Sequence, residues 1–209
     1  MVAGKFITFE GGDGSGKSTQ VKRFAEYLRS KGHDVVVTRE PGGTPEAENI
    51  RPLLANVDGG NWSPQSEAFL LFAARQNHVE NLIKPALVAG KIVISDRFAD
   101  SSRAYQGFAG GLGLEWVNTL KELAIGDFEP DLTFLLDVPA DVGLARCGKR
   151  VAETQSGENR FENKGLAYFE KLRQGYLEVA KMYPARFVVI DALQNMDDIT
   201  RQIIEKAGI

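Results

Sequence analysis

Between residues 10 and 19 the chain reads Glu10-Gly11-Gly12-Asp13-Gly14-Ser15-Gly16-Lys17-Ser18-Thr19, directly after the apolar run Lys5-Phe6-Ile7-Thr8-Phe9. Gly11, Gly16, Lys17 and Ser18 fall on the fixed positions of the G-x-x-x-x-G-K-[ST] pattern of phosphate-binding loops. Glycines let the backbone turn tightly, so that several N–H groups converge on one concavity at the positive end of a helix dipole. Such a nest attracts phosphate, and Gly12, Gly14, Ser15 and Thr19 complete it. Lys17 suits the outer phosphates of a nucleotide, and the Ser18 hydroxyl suits a magnesium ion bridging them. Asp13 lies inside the loop, where a carboxylate repels phosphate unless it serves a second ligand or a metal-bound water. It is read as facing an acceptor.

A second set of candidates follows the other apolar runs. Ile92-Val93-Ile94-Ser95-Asp96-Arg97 puts an acid and a base just past a strand. Asp96 could orient a magnesium shell and Arg97 could fork onto a phosphate, since guanidinium is planar, always charged and bidentate. A salt bridge between the two at the sheet edge is the plainer alternative. Thr38-Arg39-Glu40-Pro41-Gly42-Gly43-Thr44 combines turn formers with paired charges and should make a rigid corner, in which Glu40-Pro41 is a candidate cis bond. Phe72 and Arg75 are three apart and share a helix face, so a ring beside a guanidinium could hold a base, although phenylalanine alone in such a place is more often a core residue. Ser101, Ser102, Tyr105 and Gln106 offer hydroxyls, a ring and an amide, either for reading a base and sugar or as a polar turn before Gly107. His33 and His78 have no metal-site or nucleophile spacing and are read as structural or exposed.

The elements that must position these groups are legible as alternation. Strand-like runs occur at 5–9, 35–37, 92–94, 132–136 and 187–190, short and branched enough to be buried parallel strands. Helical stretches lie near 18–31, 65–89, 114–125, 139–147, 163–182 and 197–207. This order predicts an α/β fold, a doubly wound, five-stranded parallel sheet flanked by helices, forming one domain over 1–209. Ligands gather outside the carboxyl ends of such strands, where the candidates above fall.

Composition bounds the partners. The chain has 209 residues, 43% hydrophobic and 25% charged, as an ordinary globule does. It has no apolar run near the roughly 20 residues needed to span a bilayer, and no signal-like segment before the first strand. Its lone cysteine, Cys147, excludes an internal disulfide and fits a reducing cytoplasm. A net charge of −3 argues against gripping polymeric nucleic acid through a broad basic face, so the expected partners are small nucleotides. The polar segment 148–164 lies between two helices and carries Lys149, Arg150 and Arg160. Composition leaves a surface loop open, while the basic residues favour a mobile lid closing over phosphates.

Taken together, Glu10 to Thr19, Thr38 to Thr44, Ile50-Arg51, Phe72 to Arg75, Asp96-Arg97-Phe98, Tyr105-Gln106-Gly107 and Arg160-Phe161-Glu162 resemble bacterial thymidylate kinases over nearly the whole chain. The resemblance implies a phosphate-loop kinase fold and transfer of the γ-phosphoryl of ATP to dTMP, with magnesium and as a homodimer. By position it implies ATP phosphates in Gly11 to Thr19, magnesium near Ser18 and Asp96, and Asp13 toward the acceptor's 3′-hydroxyl. The acceptor side would comprise Arg39, Glu40, Arg51 and Arg97. Phe72 would stack on thymine, Arg75, Gln106 and Ser102 would bond its edge, and Tyr105 would crowd the sugar. Lys17 and Arg97 would act in catalysis together with Arg150 and Arg160 from the lid, because Gly14 stands where some relatives carry arginine. Two details depart from the pattern. Leu71 holds the place, four before Arg75, of the stacking phenylalanine in many relatives, and Pro52 predicts a bent path at Arg51. Two rival functions are a kinase for another nucleoside monophosphate and a nucleotide-hydrolysing switch or binding module.

Overall fold

The computed structural model describes residues 4–56, 58–154 and 164–209, with 149–154 taken as backbone only. Five strands, β1 (Lys5–Glu10), β2 (Val35–Arg39), β3 (Ile92–Asp96), β4 (Leu132–Asp137) and β5 (Phe187–Asp191), form one sheet in the order β2-β3-β1-β4-β5. Every neighbouring pair is parallel. The carboxyl ends of all five therefore open on the same edge of the molecule.

Alternate side chains of the central strands feed two cores. Ile7, Phe9, Ile94, Phe134 and Leu136 pack under α1 (Lys17–Ser30) and α9 (Met196–Ala207). In α1 the buried Val21, Phe24, Ala25 and Leu28 recur at helical spacing, which is why this segment forms a one-faced helix. On the opposite face Phe6 and Val93 meet the helices of residues 64–109, and Leu135 meets α8 (Leu166–Met182). The expectation of buried strands needs correction at the sheet edges. Val37 of β2 and Val189 of β5 are 43% and 49% exposed, because a strand with one sheet neighbour lies at the margin of the covering helices.

Four further segments differ from the sequence reading. The bent path at Arg51 is instead helix α2 (Pro45–Ala55), started by Thr44, whose side chain accepts from Ala47 N–H, and by Pro45 in its first turn. Packing on α3 (Pro64–His78), which buries Ala47 and Leu54, overrides the local preference set by Pro52. The long helix expected over 65–89 is α3 continued through a π turn at Val79–Ile83 into α4 (Lys84–Val88), with Pro85 just beyond the widened turn. The alternative of a polar turn at 101–107 does not form: the segment is helical, α5 (Ala99–Ser102) running into a π segment at Arg103–Ala109. It is buried against α8, α3 and α6 (Leu114–Ile125), so tertiary packing rather than apolar periodicity makes it a helix. Finally, α7 (Ala140–Thr154) continues past residue 147 into the expected lid, and residues 155–163 lie outside the described part.

Candidate active site

The loop after β1 turns through Gly11, Gly14 and Gly16, all at positive φ. At Gly14 the need for glycine is steric as well as torsional: φ is 76°, and a Cβ would lie 2.2 Å from the carbonyl oxygen of Gly143 in α7. Helix α1 then begins with no side-chain cap and no acidic residue in its first turn. Its leading N–H groups and positive dipole end are left for an anion. Lys17 Nζ folds back and donates to the carbonyls of Gly11 and Gly12, each at 2.9 Å. Burial, with Arg97 nearby, lowers its ammonium to about 8, against the opposing pull of Asp96, Asp13 and Glu10. Ser18 Oγ donates to Asp96 Oδ2 at 2.8 Å, which joins the end of β3 to the loop.

These groups line a cleft of about 850 Å³ that also takes in Arg39, Glu40, Arg51 and Arg97. Arg97 has a φ of 71°, the one positive value at a non-glycine residue among those described. That conformation is costly for a side-chain-bearing residue and persists where surroundings over-determine it. Here they do: its N–H donates to the Phe9 carbonyl at 2.9 Å. Its guanidinium donates to Asp13 Oδ1 at 2.6 Å, the Tyr176 hydroxyl at 3.0 Å, the Gly11 carbonyl at 3.2 Å and Ser101 Oγ at 3.3 Å. Burial opposes its charge, but Tyr105, Tyr176, Asp13 and Asp96 hold it firmly protonated. Tyr105 donates to Asp13 Oδ2 at 3.2 Å, and its ring lies 5.1 Å from the Arg97 guanidinium carbon. Asp13, Arg97 and Tyr105 thus form one cluster at the loop's flank. The plain alternative for Asp96 and Arg97, a mutual salt bridge, is not what forms: Arg97 pairs with Asp13 and Asp96 with Ser18.

The β2 corner contributes differently from expectation. Glu40-Pro41 is cis, and Arg51 Nη1 donates to the Pro41 carbonyl at 2.8 Å. Arg39 is exposed and reaches Glu48 at 3.2 Å. Both oxygens of the buried Glu40 are engaged, Oε2 by Arg75 Nε at 2.7 Å and Oε1 by His78 Nδ1 at 3.0 Å. His78 is therefore the structural residue its isolation in sequence suggested, and its Nε2 meets Thr38 Oγ1 at 2.7 Å.

Beyond this corner lies a cluster of buried polar groups. Arg75 is 1% exposed and donates also to Ser102 Oγ and the Phe98 carbonyl, both at 3.1 Å. Its guanidinium carbon sits 4.4 Å over the ring of Phe72, which is itself buried. The π segment brings Gln106 beside them. Its Nε2 donates to Glu67 Oε2 at 3.3 Å, which settles the amide orientation because a carboxylate only accepts. Its Oε1 is buried without a hydrogen-bond partner among the described residues. A buried orphan acceptor is costly and asks for a donor.

The side chain of Arg150 and the whole of Arg160 lie outside the described residues. Sequence reasoning missed Arg146, whose Nη1 donates to the Ala192 carbonyl at 3.2 Å, and the Gln194 and Met196 side of the cleft. It also missed Glu10 and Tyr176 as partners of the Arg97 cluster. Strand-end position flagged Glu10 weakly, while Tyr176, midway along a helix, carried no local signal.

Among known proteins, residues 9–203 match the family model described as "Thymidylate kinase". The chain is 52% identical over 203 residues to a thymidylate kinase of Caulobacter vibrioides, covering 97% of this chain and 95% of the relative. It is 46% identical over 201 residues to that of Desulfosudis oleivorans, covering 95% and 94%. A solved thymidylate kinase from Ehrlichia chaffeensis superposes with a TM-score of 0.78 at 35% identity, covering 99% of both chains. With a five-stranded parallel sheet, an uncapped helix behind a phosphate loop and this likeness over almost its full length, the chain belongs to the thymidylate kinase family.

Proposed function

We propose that the cleft transfers the γ-phosphoryl of ATP to dTMP, giving dTDP and ADP. The observation that carries this reading is the continuity of one cleft from the phosphate loop to Arg97, together with the orphan Gln106 acceptor in the buried polar cluster beyond it. A switch needs the loop but has no use for a second, base-reading pocket.

In the proposed arrangement the N–H groups at the start of α1 and Lys17 take the donor phosphates. A dTMP phosphate oxygen attacks the γ-phosphorus in line as the bond to the β-phosphate oxygen breaks, and most of the acceleration comes from positioning and charge neutralisation. Arg97 and Arg51 hold and aim the acceptor phosphate. Asp13 and Tyr105 face the sugar, where the ring would crowd a 2′-hydroxyl. Gln106 Oε1 accepts a base N–H, with Arg75 and Ser102 beside it and Phe72 behind. Ser18 and Asp96 fit magnesium, since a hydroxyl and a carboxylate 2.8 Å apart are hard oxygen donors beside a phosphate nest, and the ion's other positions suit phosphate and water. Bound there, it would neutralise charge on the transferred group.

Three finer parts complete the reading. The homodimer is proposed through α3 and α6, where Phe69 and Leu123 are 57% and 81% exposed and Trp116 packs edge-on to Phe69. The cytoplasm is proposed from the single buried Cys147, and no helix of the described residues is long and apolar enough to cross a membrane. Lid closure with Arg150 and Arg160 is proposed from the basic residues of the 148–164 segment and from their resemblance to family positions.

The test is ADP release from magnesium-ATP with dTMP, dUMP, UMP, CMP, AMP or GMP offered separately. Release by far fastest with dTMP is expected. Preference for another monophosphate would overturn the base assignment, and acceptor-independent release would favour the switch.

A further inference from the structure

One buried acid plays no part in the mechanism above. Glu10, at the end of β1, is fully buried and lines no part of the cleft. Its carboxylate gathers four donors. Oε1 accepts from the N–H groups of Phe98 at 2.8 Å and Ser101 at 3.3 Å, while Oε2 accepts from Ser101 Oγ at 2.6 Å and the Tyr176 hydroxyl at 3.2 Å. Those two hydroxyls are the ones that Arg97 Nη1 reaches at 3.3 and 3.0 Å. The two hydroxyls also lie 2.8 Å from each other, so with the Ser101 proton on Glu10 the Tyr176 proton is shared between Glu10 and Ser101 Oγ, and only lone pairs of either hydroxyl remain toward the guanidinium.

We infer that Glu10 is a positioning residue for the reaction: its carboxylate sets the direction of the Ser101 and Tyr176 hydroxyls so that both accept from Arg97 and hold it aimed at the acceptor phosphate. This rests on the reading that Arg97 binds that phosphate. The left-handed backbone of Arg97 shows why support is needed there, since a residue in a costly conformation keeps it only while its neighbours insist. An acceptor at both oxygens is required because all four groups around Glu10 are donors, and carboxylate is the side chain that accepts at both ends. Glutamine has nearly the same shape but opposite polarity at one end. Its carbonyl would keep the two backbone N–H groups, and its NH₂ would then donate to the hydroxyls and turn their protons against the guanidinium. Glu10→Gln therefore separates anchoring of α5 from orientation of Arg97.

The experiment measures dissociation constants of dTMP and, separately, ATP by calorimetry for the wild type, E10Q, R97A and the double variant. At pH 8 Glu10 is largely ionised, since burial and then Asp100 push its carboxyl up to about 7 while Ser101, Arg97 and Phe98 pull it down. E10Q is expected to weaken dTMP about tenfold, the scale of a disturbed charge-assisted contact, and to leave ATP within about twofold. In the R97A background the same change should add less than about twofold, because the target of the positioning is gone. A tenfold loss that persists without Arg97, or wild-type dTMP affinity in E10Q, overturns the proposal while leaving the Arg97 reading intact. Wild-type dTMP affinity in R97A would instead overturn the Arg97 reading itself, and this inference with it. Should E10Q fail to fold, Tyr176→Phe removes one oriented hydroxyl and leaves the Glu10 carboxylate with its other three donors. It should weaken dTMP about threefold, and that loss should vanish in R97A; no loss, or the same loss without Arg97, would overturn the proposal.

Discussion

Replacing Arg75 by methionine keeps most of the side-chain volume and removes its charge from a site that is 1% exposed. Glu40, 5% exposed, then keeps His78 as its partner and loses the ion pair at 2.7 Å. Breaking one side of a buried pair costs about 3–5 kcal/mol, because the remaining charge is uncompensated in a poorly solvated site. The Phe98 carbonyl and Ser102 hydroxyl lose their Arg75 donor as well, so about 4 kcal/mol is a reasonable expectation for the single substitution. For a chain of this size each kcal/mol moves the midpoint by about 2–4 °C, which predicts a fall in Tm of about 12 °C, read by circular dichroism. The second variant decides the cause. Adding Glu40→Gln removes the stranded charge, so the double variant should recover about 2 kcal/mol, or about 6 °C, over Arg75→Met alone. A fall below about 3 °C in the single variant, or a double variant no more stable than the single, would refute the buried-pair reasoning.

Other expectations follow from the same geometry. Because burial holds the Lys17 ammonium at about 8 in the free protein, phosphate binding should raise its pKa and draw in a proton. The uptake should appear near pH 8.5 as a dependence of the ATP binding enthalpy on buffer ionisation, and should vanish at pH 6.5, where Lys17 is already protonated; proton release near pH 8.5 would contradict it. Gly14→Ala would place a Cβ 2.2 Å from the Gly143 carbonyl at a φ of 76°, so it should cost about 2 kcal/mol and weaken ATP, measured by denaturation and calorimetry. Leu123→Glu puts a charge in the proposed dimer face at a position 81% exposed, so it should give a monomer by light scattering with unchanged secondary structure, and a persistent dimer would move the interface elsewhere.

The residues that could be read in advance are those whose job is local. A phosphate nest is built from consecutive backbone N–H groups, so Gly11 to Ser18 declare it by type and spacing alone. The strands and the helices at 17–30, 114–125 and 196–207 follow from apolar runs and helical spacing within single windows. The Asp96-Arg97 pair was legible as a strand-end pair, but not how the two divide. Only the fold sends Arg97 to Asp13 and Asp96 to Ser18, by bringing the ends of β1 and β3 side by side. The helix at 45–55 was hidden by Pro52, and the one at 99–109 by Ser101, Ser102 and Gly107; packing outweighs a helix-interior cost of about 3 kcal/mol for proline, about 1 for glycine and less for serine. That both oxygens of Glu40 are taken by Arg75 and His78 was likewise a matter of the fold, since those partners lie 35 and 38 residues away. The Glu10 network is the extreme case, since Tyr176 lies 166 residues further along the chain. Phosphate chemistry was written in the sequence because one short segment performs it. The partners of Arg97 and the polar groups around Arg75 and Gln106 were decided by tertiary structure, because hydrogen-bond direction depends on which distant groups share a buried site.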